Sequence, residues 1–199
     1  NHNDQIKQFK GNEHTAFGSA LHTVCEIVVQ DYDQNKKSEG LGILFETEFI
    51  QNLQKIKTLD PDIDFSAELL TSMRQQGKHL TQFVLPALKK YFGIFEMIDW
   101  KTCSWGWDSR KKTDKMITYQ LSLYKHFWAK KHNKDYKDIT THFALLKRTA
   151  NKNNVEIFKV SNGEKKIGNA LKLLNKAVYN INKCNHVKNR LSCYGKYGV

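Results

Sequence analysis

Asp99-Trp100-Lys101 sets a carboxylate and an ammonium two positions apart inside a short apolar run that reads as a strand. Alternation along a strand puts Asp99 and Lys101 on one face and Trp100 on the other. A carboxylate there can hold a divalent cation, while a neighbouring ammonium orients or deprotonates an attacking water and offsets charge building on a phosphate. Alone, the triplet describes a surface ion pair equally well. Two further pairs extend it. His22 and Glu26 lie one turn apart on a helical segment that includes Gly18, a residue that permits close approach of another backbone. Gln120 and Tyr124 lie one turn apart on a helical segment after the strand. Singly, such a His is a core residue and such a Gln/Tyr pair is surface; it is their order along the chain that gives them weight together.

The elements that must position these groups follow from hydrophobic spacing. Residues 16–30 place Phe17, Leu21, Val24, Cys25 and Val28 on one helical stripe, and residues 41–56 do the same with Leu44, Phe45, Phe49, Leu53 and Ile56. An acidic turn around Pro61 precedes a longer helical pattern that starts at the N-cap candidate Ser66, with Gly77 and Pro86 expected to break or bend it. Met97, Ile98 and Trp100 mark the strand, and the Gly106 region a loop. Residues 113–131 return to helical spacing through Met116, Leu123 and Phe127. Residues 140–147 and 155–160 predict a hairpin. Ser161 with Glu164 predicts a capping box for a last helix whose stripe is Ile167, Leu171, Leu174, Val178 and Ile181. This order predicts an α/β chain of the mixed α+β kind, a small mixed sheet flanked by helices. One domain over 1–199 is expected, helical over 1–92 and sheet-containing over 93–199.

The chain has 199 residues, enough for one domain with a full core, and its 40% hydrophobic content and 2 prolines argue against disorder. No apolar run reaches the ~18 residues of a membrane span, so no membrane partner is expected. Thirty-two Lys and Arg against 20 Asp and Glu leave +12, which points to a polyanionic partner. The excess is uneven. Residues 1–99 hold 10 basic against 14 acidic side chains, a balance of −4, and residues 100–199 hold 22 against 6, a balance of +16. Arg110, Lys111, Lys112 and Lys115 follow the strand, and Lys147, Arg148 and Lys152 surround the hairpin turn. As a group they would supply salt-sensitive phosphate contacts without reading bases; each alone is an ordinary solvated cation. Trp105 and Trp107 are candidates for stacking on bases, with packing the expected role of at least one. The four cysteines form no CxxC pair, so a disulfide framework is not expected and a reducing, cytoplasmic compartment is. The chain opens at Asn1 without an apolar signal segment and reads as a form of a longer protein.

GSALHTVCE at 18–26, MIDWKT at 97–102 and QLSLY at 120–124 together resemble the PD-(D/E)XK nuclease superfamily, in its RecB-like exonuclease branch, from about residue 16 to 190. The run DWKTCSWGWD with the following hairpin and Lys-rich helix also looks like nucleases of this type encoded by phages. The resemblance implies a restriction-endonuclease-like core and metal-dependent hydrolysis of DNA phosphodiesters in replication, recombination or repair. It implies His22 and Asp99 as metal ligands, the Trp100 carbonyl as a further one, Lys101 as the catalytic lysine, and Gln120 and Tyr124 as the Q-x-x-x-Y pair that supports the site. The expected ion is Mg²⁺ or Mn²⁺, the substrate single- or double-stranded DNA. Without a P-loop in the sequence, unwinding would come from a helicase or recombination partner.

The family pattern also places a metal-binding Asp on the preceding strand, across a hairpin. Only five residues separate Gly93 from Asp99, too few for strand, turn and strand, and Glu96 falls on the opposite face from Asp99. The favoured explanation is a hairpin bearing the Asp that is missing between Gly93 and Asp99. The others are loss of the segment with its activity, leaving a nucleic-acid-binding protein or a partner-dependent subunit, or a substitute ligand such as Glu26. A structural or inhibitory protein with a basic surface is a third reading. Some members of the branch hold an iron-sulfur cluster; Cys184 and Cys193 lie nine apart without the close cysteine trio, and a cluster is not expected here.

Overall fold

The structure, a computed structural model, describes residues 10–91 and 96–185, without the side chains of Lys90 and Glu96. Three long helices come first: α1 (Glu13–Asp33), α2 (Leu41–Leu59) and α3 (Ala67–Leu88). They are followed by β1 (Glu96–Cys103), the short α4 (Ser109–Thr113), α5 (Lys115–His132), β2 (Thr140–Lys147), β3 (Val155–Lys159) and α6 (Glu164–Asn182). The sheet order is β1-β2-β3, with β1 parallel to β2 and β2 antiparallel to β3. A parallel pair needs a crossover, and α4 with α5 supplies it. The expected small mixed sheet with flanking helices is therefore present. The hairpin expected between Gly93 and Asp99 falls on residues 92–95, outside the described residues.

Local signals start the helices where their side chains can cap them. The Asn12 carboxamide oxygen accepts from the Thr15 amide at 3.1 Å, and the Thr15 hydroxyl accepts from the Asn12 backbone amide at 3.3 Å, closing a capping box for α1. Ser66 caps α3 and Asp114 caps α5. The stripes of α1 and α2 face the same core, where Phe17, Phe45 and Phe49 meet: Phe45 stacks on Phe49 at 5.6 Å, and Phe17 meets Phe45 edge-on at 5.4 Å. Trp100, Ala144 and Leu146 close that core from one face of the sheet. On the other face Leu121, Phe143 and Val160 form a smaller cluster under α5.

Three local expectations are corrected. α3 runs unbroken through both Gly77 and Pro86. Gly77 is where the Phe45 ring lies against the helix, so close that a Cβ would fall inside the ring's van der Waals envelope. Pro86 sits in the last turn, where one lost backbone bond is tolerable because the helix ends at Leu88. The Met116-Leu123-Phe127 stripe is not the buried face of α5: Met116 is 71% and Phe127 51% exposed, and the helix instead buries Thr118, Leu121, Ser122, Lys125 and Ala129. The hydroxyls of that face can be buried because they are paired. Ser122 donates to Asn162 at 2.7 Å, Asn162 to Thr141 at 2.8 Å, and Thr141 to the Val160 carbonyl at 2.8 Å. The Ser161 capping box does not form either: α6 is capped by Gly163 with no side-chain bond. Of the α6 stripe only Ile167 is fully buried, while Val178 and Ile181 are exposed.

Candidate active site

Alternation along β1 holds as the sequence predicts. Trp100 is buried against the helical core, whereas Lys101 turns to α5 and Asp99 shares its face. Lys101 Nζ lies 3.0 Å from Asp99 Oδ2 and donates to Gln120 Oε1 at 2.9 Å. Gln120 Nε2 then donates to the Tyr124 hydroxyl at 2.7 Å. A single polar chain, Asp99-Lys101-Gln120-Tyr124, thus links β1 to α5 across 25 residues of sequence. The ends of the lysine are fixed on both sides, which removes rotamer freedom before any substrate arrives.

His22 completes the arrangement from the other side of the strand. Its Nε2 lies 3.0 Å from the Trp100 carbonyl. Glu26, one turn further along α1, is exposed, and both residues line a cavity of about 480 Å³ with Asp99, Trp100 and Tyr124. Gly18 faces the Thr102 hydroxyl, but a Cβ there would stand 3.5 Å away, an ordinary contact. The close approach expected of Gly18 is not what brings α1 to β1. Phe17 and Leu21 do that by burial in the core shared with Trp100.

The donor set suits a hard divalent cation. A carboxylate, an imidazole and a backbone carbonyl border one cavity, and the buried Asp99 Oδ2 has the Lys101 ammonium at 3.0 Å as its partner. His22 Nε2 donates to the Trp100 carbonyl at 3.0 Å, so this nitrogen would have to give up its proton and that bond to hold an ion. Among the described residues, however, no three His, Cys, Asp or Glu side chains converge as a metal-binding group. Waters would have to fill the remaining positions, as Mg²⁺ commonly requires.

The basic residues separate into two sets. Arg110, Lys111, Lys115 and Lys152 are exposed. Lys112 and Lys147 both pair with Glu156, and Lys147 is only 8% exposed, so neither is a free cation. Burial pushes the Glu156 carboxyl up, but hydrogen bonds from Lys112 and Lys147 outweigh it and hold the group below the usual range. The stability this trio contributes is present at neutral pH and lost as pH falls through that lowered value. Trp107 packs edge-on against Phe143 at 5.2 Å and Phe158 at 6.3 Å, while Trp105 is 73% exposed. Trp107 is thus a packing residue, and Trp105 is not.

Arg148, one of the cations beside the hairpin turn, reaches α1. Arg148 donates to His14 Nδ1 at 3.2 Å and to the Ser104 hydroxyl at 3.4 Å, and its guanidinium lies 5.7 Å over the Phe17 ring. An arginine always donates, so His14 must accept through Nδ1 and carry its proton on Nε2. These residues line a cavity of about 290 Å³ with Thr102 and Cys103. Arg148 has no carboxylate partner among the described residues. His14 and His22 lie on the same helix, eight residues or roughly 12 Å apart. Nothing in the local sequence of His14 marks it, because its partner is 134 residues away.

The chain matches no known protein-family model, no curated protein and no solved structure. No helix among the described residues is long and apolar enough to cross a membrane. Cys25 is buried in the core, where desolvation and the nearby Glu26 carboxylate push its thiol far up, and Cys184 is exposed; Cys193 lies outside the described residues.

Proposed function

We propose that this chain is a metal-dependent DNA nuclease of the PD-(D/E)XK type, related to the RecB-like branch, that hydrolyses phosphodiester bonds in replication, recombination or repair, most simply as an exonuclease. One observation carries the proposal. Residues from the three separate segments that carry the resemblance, His22, Asp99-Trp100-Lys101 and Gln120 with Tyr124, are joined by contacts of 2.7–3.0 Å beside one cavity.

Asp99, His22 and the Trp100 carbonyl would hold Mg²⁺ or Mn²⁺, with Glu26 at the mouth of the same cavity as a candidate fourth ligand. The bound ion would acidify a water and polarise a phosphoryl oxygen. The imidazole in the set favours tolerance of Mn²⁺. Lys101, held by Gln120, presents its ammonium beside Asp99, where it steers the attacking water and offsets charge on the phosphate. Tyr124 fixes the Gln120 amide so that its oxygen, not its nitrogen, meets the lysine. Arg148 and the exposed lysines hold the backbone, and Trp105 offers a face for an unpaired base.

Purified full-length protein is expected to degrade linear DNA with Mg²⁺ or Mn²⁺, to stop in EDTA, and to recover when Mn²⁺ is restored in excess. Fluorescent end-labelled substrates read this directly, and turnover that persists in EDTA would overturn the proposal. Arg148→Gln is expected to weaken DNA binding across sequences and to lower the salt slope by about one, since one phosphate contact is lost. Trp105→Ala is expected to weaken single-stranded DNA about tenfold with less effect on duplex, as loss of one stacking platform predicts.

A second reading is a nucleic-acid-binding protein on an inactive nuclease fold, or a subunit completed by a partner. The absence of a third converging ligand among the described residues favours it. It predicts the same salt-dependent binding in EDTA with no turnover on adding metal.

A further inference from the structure

A second polar cavity, about 310 Å³, lies at the end of β2 away from Arg148, between α5, Thr140 and the turn from β3 into α6. Lys125 lines it. The side chain leaves α5 on the buried face, is 8% exposed, and makes no hydrogen bond or ion pair among the described residues. Burial first, then repulsion from Lys159, holds its ammonium below the usual lysine range, with Asp135 acting in the opposite direction. Asp135 cannot neutralise it, since that carboxylate caps the Lys137 amide at 3.1 Å and pairs with Lys137 Nζ at 3.3 Å. Glu164 is the one carboxylate in the lining, and it is exposed.

The same cavity receives the start of α6, a 19-residue helix without a side-chain cap. Asn162, the residue before the Gly163 cap, cannot serve, because its oxygen and nitrogen are taken by Ser122 and Thr141. The Thr140 hydroxyl in the wall is buried without a hydrogen-bond partner. Free amides at a helix start favour an anion. The Lys125 stem is buried and its ammonium has no counter-ion among the described residues, so an entering anion would supply one. Three lysines, Lys125, Lys159 and the Asp135-paired Lys137, therefore share one volume with an open helix end. Its size stands at the lower end of the ~300–1,000 Å³ typical of small-ligand sites, room for a phosphoryl group with a sugar attached.

We infer that this cavity binds a phosphate monoester through Lys125, Lys159 and the first amides of α6, at a site separate from the Asp99 centre. A free nucleotide and the phosphorylated end of a nucleic-acid strand both carry that group. Calorimetric titration of the full chain in EDTA, where no cleavage can occur, separates them. The probes are adenosine 5′-monophosphate and a short oligonucleotide with or without a 5′-phosphate.

The wild-type protein is expected to bind the phosphorylated probes, and Lys125→Met and Lys159→Glu to bind them at least tenfold more weakly. Preference for the nucleotide assigns a small-molecule site; preference for the phosphorylated over the bare oligonucleotide assigns a strand end. Lys125→Met removes the charge while keeping the stem, so its melting temperature should cease to respond to phosphate. Undiminished binding in folded Lys125→Met overturns the inference. If that variant does not fold, undiminished binding in Lys159→Glu, an exposed position, does so instead. Failure of the wild type to bind either phosphorylated probe also overturns it. Asp99→Asn should leave the binding intact, so loss of nuclease activity and loss of this site are read apart.

Discussion

Asp99→Asn and Lys101→Ala are each expected to lower DNA cleavage at least about a thousandfold, with melting temperatures within a few degrees of wild type. The size of the loss follows from what each group does. Asp99 is the β1 carboxylate that lines the cavity with His22, and an amide there keeps the shape but loses the charge that would hold a cation. Lys101 positions a proton-transfer step worth roughly 10²–10⁴ in rate, and its charge adds electrostatic stabilisation of the phosphate on top. Folding should survive because Lys101 is 28% exposed at its side chain and neither group anchors the core. Gln120→Ala should cost less, about tenfold, since Gln120 acts through Lys101 and a loosened ammonium still samples its place. That split separates a positioning residue from a catalytic one; equal losses would give Gln120 a direct role. Undiminished cleavage in both Asp99→Asn and Lys101→Ala would remove this centre from the mechanism.

The parts of the molecule that could be read in advance are those whose signals are local. Phe17, Leu21 and Val28 repeat at helical spacing, so α1 and its buried face follow from pattern alone. Asp99 and Lys101 share a face because strands alternate, and Gln120 with Tyr124 because helices turn. The crossover from β1 through α5 to β2 brings Gln120 to Lys101, and the core that α1 shares with Trp100 brings His22 to the strand. α5 misled because its buried face is held by Ser122, Asn162 and Thr141, a network spanning three elements that makes polar residues interior and leaves Met116 outside. Gly163 replaced the Ser161 cap for the same reason: Asn162 is drawn inward and moves the helix start past it. His14 and Lys125 carry no local mark at all. Each matters only through a neighbour that folding supplies, Arg148 in one case and the start of α6 in the other.

Gly77→Ala tests whether the helical half positions the site or merely accompanies it. Alanine favours a helix over glycine by about 1 kcal/mol, so an exposed glycine would give a more stable protein. Here the added methyl meets the face of Phe45, and that ring has nowhere to go. It is fully buried, stacked on Phe49 and braced edge-on by Phe17. Overpacking of this kind costs ~1–3 kcal/mol and more when the neighbours are fixed, so a net destabilisation of about 2–3 kcal/mol is expected. For a chain of this size that lowers the melting temperature by roughly 4–12 °C. The displacement should also be felt at the site. Phe17 and His22 lie five residues apart on α1, so a shift of the aromatic trio moves the imidazole against the Trp100 carbonyl. Cleavage should fall with stability in Gly77→Ala, and Phe45→Leu in the same chain should restore part of both, because the shorter side chain vacates the space the methyl needs. Gly18→Ala is the matched control. It adds the same methyl to α1 at ordinary contact distance from Thr102 and should leave melting and cleavage near wild type. Were Gly77→Ala to melt like wild type, the close seating of Phe45 on α3 would be wrong, and with it the packing that fixes His22 above β1.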